Sequence, residues 1–309
     1  MLGRIVEIAE DNRHLSMLRG FMIVTDTKGD KFELGRVPLD DIAAVIANAY
    51  GISYTNNLLV ALAEKGAPFV LCANNHNVVG MLLAVDGNFE QSRRMDAQMA
   101  ASAPTRKRLW AEVVRSKIEQ QATCLSATGA ATTPLNALVK EVRSGDPRNI
   151  EAQAARRYWT LLFGDSFRRD QQASGINALL NYGYTVLRAA TARAVVAAGL
   201  HTSLGLHHSN AGNAMRLVDD LMEPFRPVVD LRVWQLHCEG HHEVNPETKR
   251  QLVMSLYDDI QTDSGATPVT VAMQRLATSL ALVYVDQRKK LDLPLPGLAL
   301  PFVEPVYNP

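Results

Sequence analysis

The hydrophobic period of the chain changes once, near Asp86-Gly-Asn88, and that change constrains the fold more than any other feature. Ahead of it lie short β-prone runs at residues 4–9, 15–18, 21–24 and 32–37, with Asp26-Thr-Lys-Gly-Asp30 placed as a hairpin turn. Residues 40–46 read as another strand. Thr55 is placed to cap a helix through Lys65, with Gly66 as its stop. Residues 68–72 and 78–85 read as two more strands around Asn74-Asn-His-Asn77, where His76 has no acidic neighbour and reads as a turn residue. Beyond the switch the spacing predicts helices at 91–101, 105–125, 134–142, 150–163, 176–198, 211–222, 228–236, 246–261 and 268–289. The sequence therefore predicts a multidomain α+β chain. Residues 1–86 form a small β-sheet, sandwich-like domain, residues 87–290 a larger all-α domain, and 291–309 a Pro-rich tail, extended on the surface or disordered.

Composition narrows the function classes. Over 309 residues Lys+Arg and Asp+Glu both number 32, so net charge points to neither nucleic acid nor membrane, and any polyanion site needs local segregation of charge. The basic residues do segregate into the helical part: Arg93, Arg94, Arg106, Lys107, Arg108, Arg115, Lys117, Arg156, Arg157, Arg168 and Arg169. Recurrence along one domain of a neutral chain favours a phosphate-binding surface over a merely solvated face. Three widely spaced cysteines, with no basic leader and no apolar run of membrane length, read as a soluble cytoplasmic protein.

Gly205-Leu-His-His208, a Ser/Asn/Gly turn, and a helix carrying Asp219, Asp220 and Glu223 follow one another within a short stretch. Residues three or four apart share a helix face, so Glu223 with Asp219 or Asp220 can present two carboxylates to one point. Pro224 and Pro227 end or kink that helix. Carboxylates with an imidazole across the turn form a divalent-metal ligand set. A further carboxylate, Glu151, opens the helix after Gly145-Asp-Pro-Arg-Asn149, where Asn149 can cap it. Alone, a first-turn Glu is a helix-dipole partner; with His208 and Glu223 it completes carboxylate, imidazole and carboxylate from separate elements.

Four motifs occur in order: Asp146-Pro-x-Asn-x-Glu151-x-x-Ala-Ala-Arg-x-Tyr-Trp159, Asn177-x-Leu-Leu-Asn-Tyr-Gly-Tyr184, Gly205-Leu-His-His208 and Asp219-Asp-Leu-Met-Glu-Pro-Phe-Arg-Pro227. Together they resemble the CRISPR-associated adaptation integrases, the "Cas one" endonucleases, and the last motif is similar to the type II branch. The resemblance implies metal-binding roles for Glu151, His208 and Glu223, with Asp220 in the same catalytic site and no ligand role for His207. It implies Mg²⁺ or Mn²⁺ as cofactor, and insertion of prespacer DNA into a CRISPR repeat by 3′-hydroxyl transesterification. Double-stranded DNA would lie on the basic residues named above and on Arg226, whose alternative is a salt bridge to Asp219 or Asp230. Implied partners are a second copy through the β domain, a small second adaptation protein and the type II effector nuclease.

Two other readings compete. His237-Cys-Glu-Gly-His-His-Glu243 places His237 and His241 at i, i+4, as a zinc hydrolase would, although the order is not His-Glu-x-x-His and Gly240 suits a helix end. A non-catalytic DNA-binding scaffold would keep the basic helices and use the acids for local ion pairs. Tyr182, Tyr184 and Trp234 read as packing residues.

Overall fold

The computed structural model describes residues 4–28, 32–73 and 78–297. His76, the tip of the turn after Asp26, and the end of the Pro-rich tail lie outside the described residues. The first part comprises β1 (Arg4–Ile8), β2 (Arg13–Leu18), β3 (Phe21–Asp26), β4 (Glu33–Pro38), β5 (Ile42–Ala47), β6 (Ser53–Tyr54), α1 (Asn56–Glu64), β7 (Phe69–Cys72) and β8 (Val78–Leu82). The second comprises α2 (Gln91–Ala100), α3 (Ala103–Ala127), α4 (Thr133–Val139), α5 (Ile150–Phe163), α6 (Ile176–Ala197), α7 (Arg216–Met222), α8 (Arg226–Cys238), α9 (Pro246–Met254), β9 (Asp259–Thr262), β10 (Gly265–Pro268) and α10 (Val269–Tyr284).

Two four-stranded sheets, in orders β1-β5-β7-β8 and β4-β3-β2-β6, build the first part. Strand β5 is buried along its whole length because both of its faces are covered. Its alternation sorts the two cores: Ala44 and Ile46 join the helical core, whereas Val45 and Ala47 join Leu15, Met22 and Phe69 between the sheets. Leu58 and Leu62 of α1 close that inner core, and the Thr55 hydroxyl accepts the Leu58 N–H at the helix start. The expected separation into two independent cores is thus corrected, since one face of the β1-β5-β7-β8 sheet is part of the helical core. Glu7 ties the parts further, accepting from Tyr182 Oη at 2.6 Å and pairing with Lys249 at 2.9 Å.

Helix α6 runs through the centre of the second part. At Gly183 a Cβ would stand 2.4 Å from Val229 Cγ1, so the close crossing of α6 and α8 requires glycine there. Three expectations are corrected in this part. The helix beginning at Pro246 ends at Met254, and 259–268 form the β9-β10 hairpin, so the part is not all-α. Helix α7 starts at Arg216 rather than at 211, because the Asn210 and Asn213 side chains accept the Gly212 and Met215 N–H groups in successive turns. The described start of the tail is fixed, not loose: Leu291 is buried, Ser116 and Gln120 of α3 donate to the carbonyls of Pro294 and Leu295, and Leu295 N–H reaches Gln261.

Candidate active site

Local capping places the first carboxylate. Asp146, in the left-handed region at φ 48°, accepts the Ile150 and Glu151 N–H groups at 2.9 Å each, and Asn149 accepts from Ala152. These bonds satisfy the orphan donors of α5 and set its first turn, from which Glu151 projects. The second carboxylate comes from a kink. Helix α7 passes into a 3-10 turn at Glu223–Phe225 containing Pro224, and α8 resumes with Pro227 in its first turn. The kink turns the Glu223 side chain toward α3.

There the two carboxylates meet one ammonium. Lys117 Nζ is bonded to Glu151 Oε1 and lies 2.5 Å from Glu223 Oε2, while Arg226 Nε stands 3.1 Å from Glu223 Oε1. Burial alone would push the Glu223 acid up, but Arg226 and Lys117 outweigh it and hold the group below its ordinary range. Burial likewise works to lower Lys117, and the charges of Glu223 and Glu151 outweigh it and hold the ammonium above its ordinary value. Both charged forms are therefore stabilised by each other.

Asp220 does a different job. Wholly buried at 0% exposure, it accepts the backbone N–H groups of Leu206 at 2.6 Å, His207 at 3.1 Å and His208 at 3.3 Å, and lies 2.6 Å from His208 Nδ1. Gly205 makes this possible, because a Cβ there would stand 2.8 Å from Asp220 Oδ2. Both oxygens of Asp220 are thus engaged in holding the 205–208 backbone and the His208 ring. His208 remains 41% exposed on its side chain, and the Asp220 hydrogen bond raises its pKa against the opposing effect of burial. His207 stacks flat on Trp110 at 4.6 Å between ring centroids. Asp219 faces Arg188, at 2.7 and 3.0 Å, and Asn213. The three acids of this stretch thus diverge to three partners. Among the described residues no three His, Cys, Asp or Glu side chains surround one point. Glu151 and Glu223 are brought together, and His208 is held on Asp220 instead.

A cleft of about 420 Å³ opens beside these groups, lined by His208, Arg169, Asn181, Tyr184, Arg188 and Arg226 among others. Arg226 lies over the Tyr184 ring, 4.6 Å from its centroid, and pairs with Glu223, not with Asp219 or Asp230. Arg169 donates to Asn177 at 2.9 Å and to Asn181 at 2.6 Å, which fixes it in the cleft wall. Other expected DNA contacts are dispersed. Arg94 is buried on Glu90 and the Ala198 carbonyl, so its place in a DNA surface is corrected to a structural one. Arg93 pairs with Glu90, Arg108 pairs with Glu112, and Arg168 donates to the carbonyls of Asp165 and Phe167. Lys107, Arg156 and Arg157 are exposed, and half-buried Arg106 lines another cleft beyond His208.

Sequence reasoning missed Arg188, and it placed Lys117 on the basic DNA surface, which is corrected to a buried place between Glu151 and Glu223. Lys117 falls in step with Val113, Val114, Ile118 and Gln121, which α3 turns inward. A lysine on an inward stripe needs a buried counter-charge, and that was the available signal. The zinc alternative fails on geometry: α8 ends at Cys238, Gly240 takes φ 85°, and His237 faces His242 at 3.2 Å between Nδ1 atoms rather than His241.

A β-sheet part leading into a helical part that gathers two carboxylates beside an imidazole and guanidinium groups defines a class of chain, and solved structures share its fold. A casposase bound to integration product matches with a TM-score of 0.79 at 20% identity, covering 94% of this chain and 93% of that one. A Cas6-RT-Cas1–Cas2 complex matches at 0.75 and 18% identity, over 96% of this chain and 36% of that one. The family described as CRISPR associated protein Cas1 matches residues 6–253. A CRISPR-associated endonuclease Cas1 from Neisseria meningitidis is 38% identical over 276 residues, 88% of this chain and 90% of that protein. The chain belongs to the Cas1 family.

Proposed function

We propose that this chain is a metal-dependent DNA endonuclease and integrase that inserts prespacer DNA into a CRISPR array. The observation that carries the reading is the meeting of Glu151 and Glu223 at a single positive charge, beside a cleft walled by His208, Arg169 and Arg226. Two carboxylates already gathered around one cation, with an imidazole in the adjoining wall, fit a hard divalent ion in their chemistry. Glu151, Glu223 and His208 would hold Mg²⁺ or Mn²⁺, which when bound polarises the scissile phosphate and stabilises the leaving oxygen.

The chain's own groups do the rest. Asp220 fixes the 205–208 loop and presents the outer ring nitrogen of His208. Arg169 and Arg226 neutralise phosphate charge, and their hydrogen bonds and ring contacts hold them in place before DNA arrives. The incoming 3′-hydroxyl oxygen forms a bond to the repeat phosphorus as the bond to the repeat strand's own 3′-oxygen breaks. That oxygen takes up a proton and the attacking hydroxyl loses one, so no high-energy cofactor is needed.

Prespacer and repeat duplexes are the DNA partners. The fold likeness to the Cas6-RT-Cas1–Cas2 complex supports a small second adaptation protein. Pairing of two copies through the β-sheet part and the type II effector nuclease as a further partner rest on the sequence resemblance, and a cytoplasmic setting on the three widely spaced cysteines. Among the described residues no helix is long and apolar enough to cross a membrane.

One observation favours the scaffold alternative. The Lys117 bridge neutralises both glutamates without a metal, as a non-catalytic chain would require. Strand transfer decides between the readings, on a branched DNA with a free 3′-hydroxyl in Mn²⁺, Mg²⁺ or chelator. Wild type should join strands only with metal, and His208→Ala should lose joining while keeping DNA binding. Binding without joining under either metal, and with the second adaptation protein added, establishes the scaffold instead.

A further inference from the structure

His208 stands in the walls of two clefts. The second, of about 390 Å³, is lined by Gln98, Arg106, His207, Ser209, Arg216 and Tyr284 together with apolar Met99, Leu204 and Leu206. No acidic residue is among those lining it. Several inward-facing arginines of this chain meet a carboxylate: Arg94 meets Glu90, Arg188 meets Asp219, and Arg226 meets Glu223. Arg216 does not. It makes no ion pair or hydrogen bond among the described residues, and its Nε is shielded from water without a partner. Arg106 gives one N–H to the Ala101 carbonyl at 3.1 Å and faces no acid. At the cleft floor Tyr284 is 9% exposed, and its hydroxyl is also buried without a partner. Unpaired buried donors are costly to the free protein, and here they collect at one place with two guanidinium groups.

We infer that this cleft is a nucleotide subsite for the DNA strand that passes His208. Arg106 and Arg216 take a backbone phosphate, the side chains of Met99, Leu204 and Leu206 take the apolar faces of the attached nucleoside, and Tyr284 Oη supplies a hydrogen bond from the floor. Guanidinium pairs suit a phosphate, and the mixed wall suits the sugar and base it carries. The inference rests on DNA being the ligand of the adjoining catalytic cleft, and assigns the strand a second point of attachment on the other side of the histidine.

The test is an anisotropy titration of labelled branched DNA with a free 3′-hydroxyl, in chelator so that joining plays no part, with thermal unfolding of each free protein. Tyr284→Phe should bind about three- to tenfold more weakly, the loss of one neutral hydrogen bond. Its free form should melt at or above the wild-type temperature, because it sheds a hydroxyl that has no partner. Arg106→Gln with Arg216→Gln should bind roughly ten- to a hundredfold more weakly and flatten the dependence of log affinity on log salt by about one to two. Wild-type affinity in both variants overturns the subsite while leaving DNA binding standing. Loss on the arginine variant with unchanged Tyr284→Phe binding overturns the floor contact. Failure of the wild type to bind DNA at all overturns this inference and the DNA reading together.

Discussion

Glu223 and Asp230 are buried carboxylates of adjoining turns, and the protein neutralises them in opposite ways. Glu223 faces cations, Lys117 and Arg226, and is held below the ordinary carboxylate range although burial pulls it up. Asp230 faces phenols instead: Tyr184 Oη donates to it at 2.5 Å and Tyr158 Oη at 3.0 Å. For Asp230 burial wins, and its pKa is pushed up to about 7 despite those hydrogen bonds and Arg226. The difference teaches where exchangeable charge resides. A carboxylate matched by an ammonium stays ionised, and its counter-ion can in principle be traded for another cation. A carboxylate sealed by two tyrosines is neutral or nearly so at mild acidity, and it binds helices together.

The largest expected effect breaks the first arrangement. Lys117→Met leaves Glu151 and Glu223 facing each other with only Arg226, on the other oxygen of Glu223, to compensate, and breaking a buried ion pair from one side costs about 3–5 kcal/mol. Denaturant unfolding in chelator measures it. On the proposed metal site, Mn²⁺ should return part of that stability to the variant and shift the wild type less. A variant as stable as wild type in chelator would show that the ammonium is not what holds the glutamates together. Next in size is Tyr184→Phe, which keeps the ring beneath Arg226 and removes the 2.5 Å hydrogen bond to Asp230. Leaving that acceptor short of a donor should cost about 1–3 kcal/mol, with DNA strand joining retained by the folded fraction. Loss of joining at unchanged stability would place Tyr184 in the chemistry and erase the contrast between the two clusters.

The same contrast explains what the sequence could and could not show. Local signals carried the elements: Asn149 before Glu151 and Gly164 after Phe163 mark α5, and the short unbroken apolar run of β5 marks a buried strand. The β9-β10 hairpin was hidden because Pro246 opens a well-capped helix, and the register of Ile260 and Thr267 resembles its continuation until the Asp263–Gly265 turn is seen. Glu151, His208 and Glu223 were legible as residue types in a pattern. Their partners were not, since Lys117 arrives from α3 and Arg188 from α6, far away in the chain. Nor could spacing tell that Asp220 turns back onto the Gly205–His208 backbone while Glu223 turns away, where α7 passes into the 3-10 turn.

The smallest effect sharpens the comparison through pH. The folded pKa of Glu223 lies below its unfolded one, so its stabilisation is present above the unfolded value and is lost as pH falls through the folded value. Asp230 has the opposite sign. Its folded pKa of about 7 lies above an unfolded value near 4, so its contribution is full below about pH 4 and disappears as pH rises through about 7. Between those limits the folded chain holds a proton that the unfolded chain has released, and stability should fall with rising pH by at most about 1.4 kcal/mol per unit. Asp230→Asn cannot release that proton. Unfolding free energies measured from pH 4.5 to 7.5 should therefore decline more steeply for wild type than for Asp230→Asn, the difference growing with pH. Glu223→Gln should instead differ from wild type by a constant amount above about pH 5 and converge with it only as pH falls below the unfolded carboxylate value. Parallel curves for wild type and Asp230→Asn would mean that the two tyrosines keep Asp230 ionised throughout, so that the two carboxylates differ in their partners but not in their charge.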